Sequence, residues 1–158
     1  MIILVVSDSH GQMSGLRALA GDDALRPDHI FHLGDHARDA LVLRAAAPVA
    51  AVRGNCDPYG DAPQELLLEF EGVRILLTHG HTQRVKMSLL NLRLRAQEAG
   101  ASVALFGHTH TPHLSETNGI TLFNPGSISE PRTGKPSYGI LRLSGGAAVF
   151  EHMTLSGG

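Results

Sequence analysis

The sequence holds one cysteine, Cys56, and no tryptophan in 158 residues. One thiol cannot build an intramolecular disulfide framework, and it fits a reducing compartment, the cytoplasm. Neither sign of charge prevails: 13 Lys and Arg stand against 15 Asp and Glu, a net charge of −2. Without a basic surplus or a basic run to neutralise phosphates, nucleic acid is not an expected partner. Long apolar runs are missing as well. The opening MIILVVSDSH is too short to cross a bilayer and carries neither a basic leader nor a small-residue cleavage site, so neither membrane insertion nor secretion is expected. What is left is an ordinary globular composition, 42% hydrophobic and 18% charged, of a length that suits one domain over 1–158.

Histidine is plentiful instead: ten residues, against two tyrosines. Its positions matter more than its number, and they are read against the predicted elements. IILVV (2–6), HIFHL (29–33) and VAAV (49–52) read as strands, the first a β-branched run buried on both faces. Between them MSGLRALAG (13–21) and ARDALVLRAAA (37–47) read as helices, closed by Gly21 and Pro48. The rhythm then changes. ELLLEF (65–70) and VRILLTH (73–79), parted only by Glu71 and Gly72, predict a hairpin. Residues 83–99 predict a helix, with Val85, Leu89, Leu92 and Ala96 at steps of three and four. These apolar side chains belong either to the core or to a subunit contact, which leaves a homo-oligomer open. SVALF (102–106) reads as another buried strand, and the last third alternates short strands with Asn-Gly and Gly-Gly turns. The final Ser-Gly-Gly reads as a frayed end. A β-α-β-α-β half and a hairpin-rich half predict an α/β fold of mixed α+β character, two mixed sheets packed together with helices outside.

The chemistry sits just past the strands. After IILVVS come Asp8, Ser9 and His10; after IFHLG comes Asp35; after AAVRG come Asn55, Cys56 and Asp57. RILLT is followed by His79, Gly80 and His81, and SVALFG by His108 and His110. Each residue alone has an ordinary role open to it, a helix cap for Asp8, a turn for Asp35 or Asn55, a satisfied core position for His79. Five predicted strands ending in the same residue types are another matter. In open α/β sheets ligands bind beyond the carboxyl ends of the strands, so side-by-side strands bring these residues together. Asp, Asn and His without thiolates suit Mn²⁺, Fe, Zn²⁺ or Ni²⁺ rather than a structural zinc. Two Asp, one Asn and four His exceed what one ion needs, and two ions sharing a carboxylate, roughly 3.5–4 Å apart, are the natural division. Mn²⁺ is the expected ion.

The order DxH, GD, GN, H, GHxH resembles the calcineurin-like metallophosphoesterases over roughly residues 1–150. RGNCD (53–57), THGH (78–81), GHTH (107–110) and NPGS (124–127) look like blocks of their small YfcE-type phosphodiesterase branch. The resemblance implies a four-layer α-β-β-α sandwich of two mixed sheets. It implies that Asp8, His10 and His110 hold one metal, that Asn55, His79 and His108 hold the other, and that Asp35 bridges them. A hydroxide between the two ions would then attack the phosphorus of a small phosphate diester. His81 is left to support a ligand or face the substrate, and Asp57 to orient its loop or a ligand.

One position departs from the family. Many relatives carry a histidine directly after the motif Asn, where it can protonate the leaving group; here that residue is Cys56. A thiol with an ordinary pKa near 8.5 is either a weak proton donor or merely a small residue filling the loop. His36, Arg53 and Arg132 are further candidates to face a phosphate, each with an equally ordinary solvent or packing role. His29 and His32 read as structural, and His113 and His152 show no partner. Competing readings on the same fold are a non-catalytic interaction scaffold, as in the retromer subunit that resembles this branch, a phosphomonoesterase, and a nuclease.

Overall fold

The computed structural model describes residues 1–57, 62–132 and 134–155. The expected frayed end at 156–158 and part of the loop 53–63 lie outside them. In chain order the elements are β1 (Ile2–Val6), α1 (Ser14–Ala20), β2 (His29–His32), a 3-10 helix (Ala37–Ala45), β3 (Val49–Ala51), β4 (Glu65–Phe70), β5 (Val73–Thr78), α2 (Leu90–Glu98), β6 (Val103–Leu105), β7 (His113–Thr117), β8 (Ile120–Asn124), β9 (Ser137–Ser144) and β10 (Ala147–Thr154).

The strands form two sheets of five, in the orders β10-β9-β1-β2-β3 and β4-β5-β6-β8-β7. Both are mixed. The parallel ladders β1-β2-β3 and β5-β6-β8 carry antiparallel strands at their flanks. Alternation of side chains along each strand builds the layers. Ile3 and Val5 meet Ile75, Leu77, Val103 and Leu105 in the core between the sheets. Their neighbours Leu4 and Val6 turn the other way, onto Leu16 and Leu19 of α1 and Leu43 of the 3-10 helix. On the second sheet Leu76 and Ala104 turn outward onto Leu92 and Ala96 of α2. Helix, sheet, sheet, helix: the four layers of the expected sandwich are in place.

Three expectations are corrected. Residues 37–47 form a 3-10 helix over Ala37–Ala45, not an α-helix. Its buried residues Ala37, Ala40 and Leu43 are three apart, a spacing that a three-residue turn stacks on one face. The helix expected over 83–99 is shorter, Leu90–Glu98. Residue Arg84 adopts a left-handed backbone with φ 54°, which ends any helix there, and Val85 reaches the core from a turn closed by its N–H on the Gly80 carbonyl. The strand expected at 49–52 is shorter, Val49–Ala51, an edge strand whose residues are half-buried, while Val52 just beyond it sits in the core.

The strand ends that carry the Asp, Asn and His residues do not all lie side by side. β1, β2 and β3 belong to one sheet, β5 and β6 to the other. They converge because the sheets face each other, and hydrogen bonds cross between them at this end. His79 beyond β5 bonds the Leu33 carbonyl beyond β2 at 2.7 Å, and the His108 N–H beyond β6 donates to Asp8 beyond β1 at 3.1 Å.

Candidate metal centre

Two groups of ligand atoms sit at this convergence, Asp8, His10, Asp35 and His110 in one, Asp35, His79 and His108 in the other; within each group the atoms lie within 4.8 Å of one another. Asp35 is common to both. Its Oδ2 faces His10 Nε2 at 3.4 Å and its Oδ1 faces His79 Nε2 at 3.4 Å, so each oxygen turns to a different group. His108 and His110 also part company: His108 Nδ1 lies 3.2 Å from His79 Nε2, and His110 Nε2 lies 3.2 Å from His10 Nε2. Both histidines have positive φ, 72° and 58°, so GHTH is a left-handed turn and not the extended segment that period-two reasoning assumes.

Second partners fix which nitrogen faces inward. The Nδ1–H of His79 donates to the Leu33 carbonyl and that of His110 to the Glu130 carbonyl at 2.6 Å. Each ring thereby offers an Nε2 lone pair, the arrangement metal-ligating histidines adopt. Asp8 is fully buried, with Oδ2 saturated by the Ser7 hydroxyl at 2.6 Å and the His108 N–H. Its Oδ1 has no hydrogen-bond partner and points at His110, His79 and His10 at 3.3, 3.7 and 3.8 Å. Lone pairs facing a carboxylate at these distances need a proton or a cation among them. Nitrogens 3.2 Å apart match the separation of two ligands on one ion with metal–nitrogen bonds of about 2.1 Å. The residues therefore fit a divalent metal.

Titration follows the same logic. Burial would raise the Asp8 carboxyl, but His10, His110 and His79 overcome it and hold it well below the usual carboxylate range. Burial likewise opposes the ionised form of Asp35, and His79 beside it wins, lowering its pKa. Asp8 raises His10 and His110, and Asp35 raises His79 against its burial. His108 goes the other way, to about 4, through burial and the neighbouring His79 and Lys86.

The loop beyond β3 is more exposed. Asn55 donates its amide to Cys56 Sγ at 3.6 Å, and the Cys56 N–H donates to Asp35 Oδ1 at 2.9 Å, which ties this loop to the shared carboxylate. Partial burial and then Asp35 push the Cys56 thiol up, so it stays protonated at neutral pH. Asp57 accepts the backbone N–H groups of His36, Ala37 and Gly54, locking the Asp35 loop to the Asn55 loop. His81 lies beside His79 with ring centroids 5.4 Å apart and the rings tilted by 56°, and its buried Nδ1 has no partner among the described residues. Burial and His79 lower its pKa. His36 is exposed, its ring centroid 5.8 Å from that of His10.

Several supporting residues escaped the sequence reading. Ser127 and Ser129 both donate hydroxyls to the Asp8 carbonyl. Asn124, first residue of NPGS, donates to the Gly107 carbonyl and to Thr109 Oγ1, bracing the GHTH turn, and His152 donates to its carbonyl. Buried His32, its pKa near 4, accepts the Gly34 N–H at Nδ1 and bonds Ser9 through Nε2, while Ser9 donates to Asp39. NPGS stood out in the sequence only as a family block, with no role for its side chains. Among the described residues, six of the nine non-glycine residues with positive φ are Asp8, His10, Asp35, His36, His108 and His110. Each such conformation costs on the order of 1–3 kcal/mol, and such strain gathers at functional sites.

A sandwich of two mixed sheets with Asp and His ligand groups where its strand ends converge is the build of a metallophosphoesterase. The chain belongs to the calcineurin-like phosphoesterase superfamily, whose domain model matches residues 1–146. It is 41% identical to the probable metallophosphoesterase YsnB of Bacillus subtilis over 99% of this chain and 93% of that one. It is 42% identical to the phosphodiesterase YfcE of Escherichia coli K12, over 61% of this chain and 53% of YfcE. A solved structure from Streptococcus pneumoniae, described as a predicted phosphoesterase, superimposes with a TM-score of 0.84 at 30% identity, over 97% of this chain and 88% of the other. Among the described residues no helix is long and apolar enough to cross a membrane.

Proposed function

We propose that the protein is a cytoplasmic phosphodiesterase, one domain over 1–158, that acts on small phosphate diesters with two divalent ions, Mn²⁺ first among them and Fe, Zn²⁺ or Ni²⁺ as alternatives. The observation that carries the reading is the unpartnered Asp8 Oδ1 among three histidine nitrogens, beside an Asp35 whose oxygens divide between two ligand groups. Divalent ions bound there would supply Lewis acidity toward a phosphoryl group and a nucleophile drawn from water at neutral pH.

The chain's own residues set the rest. Asp8, His10 and His110 hold one position; Asn55, His79 and His108 hold the other; Asp35 spans both. The Leu33 and Glu130 carbonyls keep His79 and His110 in the ligating tautomer. His81, its pKa lowered by burial and His79 and its buried Nδ1 without a partner among the described residues, faces the substrate. Cys56 stands where a proton donor is wanted, and its raised pKa makes it a poor one. Substrates with stable leaving groups are therefore favoured. The diester preference leans on the likeness to YfcE.

The test is hydrolysis of bis-p-nitrophenyl phosphate beside p-nitrophenyl phosphate, on chelator-stripped protein, before and after Mn²⁺. Metal-restored cleavage of the diester with little of the monoester is expected. Preference for the monoester makes the protein a phosphatase, and salt-sensitive DNA cleavage a nuclease. Bound metal with no turnover of any ester makes it an interaction scaffold.

A further inference from the structure

A cavity of about 440 Å³ lies between the 3-10 helix and β3, and no metal-ligand candidate lines it. Arg38, Leu41 and Arg44 form one wall, Val49 and Ala51 the other, with Asp57 at one end. The three-residue spacing is the key. In a 3-10 helix, side chains three apart eclipse, so Ala37, Ala40 and Leu43 turn to the core while Arg38, Leu41 and Arg44 stand in one straight row. Neighbours in that row are about 6 Å apart along the axis, from a rise of about 2 Å per residue. Leu41 is 51% exposed between two guanidinium groups. Arginine ion pairs among the described residues use Arg74, Arg95 and Arg142, not Arg38 or Arg44. The Asp57 carboxylate is already engaged by three backbone N–H groups.

The cavity also has an address. Its lining includes Ala37, two residues beyond Asp35, and Asp57, two residues beyond Asn55, so part of that lining adjoins the loops that carry two proposed ligands. We infer that this cavity is the subsite that selects the substrate, taking an apolar arm of the phosphoester that ends in an anionic group. Val49, Ala51 and Leu41 cover the apolar body, and one of the two guanidinium groups, Arg38 or Arg44, about 12 Å apart along the row, meets the anion, carboxylate or phosphate. The inference rests on the phosphoester reading above.

A matched pair of diesters with the same leaving group tests it: p-nitrophenyl phenyl phosphate and p-nitrophenyl 4-carboxyphenyl phosphate, with Mn²⁺-loaded protein. A KM about tenfold lower for the carboxylate, at similar kcat, is expected from one charge-assisted contact. The double variant Arg38→Gln, Arg44→Gln brings the two KM values together by raising that of the carboxylate. Equal KM values in the wild type, or a preference that survives the double variant, overturn the inference. If neither ester releases nitrophenolate, the phosphoester reading fails. Calorimetric titration of the same pair then decides the cavity: tighter carboxylate binding that the double variant loses sustains it, and equal binding sinks it.

Discussion

Asp35 is the residue on which the proposed centre turns, because its two oxygens face different histidines. Asp35→Asn leaves one coordinating oxygen and removes the charge, so metal content falls at both positions; His110→Ala weakens mainly one. Elemental analysis of the purified variants separates these, and wild-type metal content in Asp35→Asn would remove the bridging role. The pH dependence follows from the same neighbours. His10, His79 and His110 have raised pKa values in the metal-free protein, so they keep protons on the inward nitrogens to higher pH than free histidine does. Those protons must leave before a metal binds, so Mn²⁺ affinity climbs as pH rises through the raised pKa values. Titrations at pH 6 and pH 8 check the sign, and equal affinities would show that these nitrogens are not ligands. Cys56→Ala should keep activity on a nitrophenyl diester within about tenfold, since a true general acid is worth about 100-fold or more. A loss of about 100-fold would restore the thiol as proton donor. The candidate ligand residues stood out in the sequence because each lies just past an apolar run. The tie of Ser127 to Asp8 did not, because the two meet across 119 residues of sequence, a distance no local pattern spans.

At the scale of elements, the strands and α1 were read nearly to the residue, and the other two helices were not. ELLLEF and the Glu71-Gly72 turn could form little but a hairpin, and the structure has β4 and β5 paired from Phe70 with Val73 to Glu65 with Thr78. The two helix corrections share one cause: apolar residues at steps of three and four say which face is buried, not which backbone carries it. Ala37, Ala40 and Leu43 fit a 3-10 turn, and Val85 reaches the core from a turn. The strand-to-loop junctions are where packing is tightest. A methyl group on Gly107 would overlap the Ser7 hydroxyl and approach Asp8 Oδ2 at 2.7 Å, the pair that saturates one side of the Asp8 carboxylate. Gly107→Ala is therefore expected to destabilise the metal-free protein by about 1–3 kcal/mol, as overpacking does. It should also lower metal content, since Asp8 must move. Denaturant unfolding and elemental analysis read the two effects, and an alanine variant with wild-type stability and metal would show that this junction has room.

For the whole molecule, the decisive feature is that the proposed ligands come from both sheets. Asp8, His10 and Asp35 follow strands of one sheet, His79, His108 and His110 strands of the other. Sequence patterns marked the strand ends but left the split of three and two unstated, because the register of one sheet over another depends on core packing. The consequence is thermodynamic. Without metal, the two sheets are joined here by their shared core and by hydrogen bonds such as His79 to Leu33. A metal held by both binds the folded chain and not an unfolded one in which Asp8 and His108 are 100 residues apart. Binding to the native state alone stabilises by about 2.7 kcal/mol when free metal is 100 times its dissociation constant. At about 2–4 °C per kcal/mol for a chain of this size, Mn²⁺ should raise Tm by roughly 5–11 °C. Asp35→Asn should lose most of that rise, whereas Arg38→Gln, which lies outside both ligand groups, should keep it. The check is a thermal melt of stripped protein against added Mn²⁺ for all three chains. A rise that Asp35→Asn retains in full would place the bound ions elsewhere on the surface, and the two sheets would then owe nothing to metal for holding together at this end.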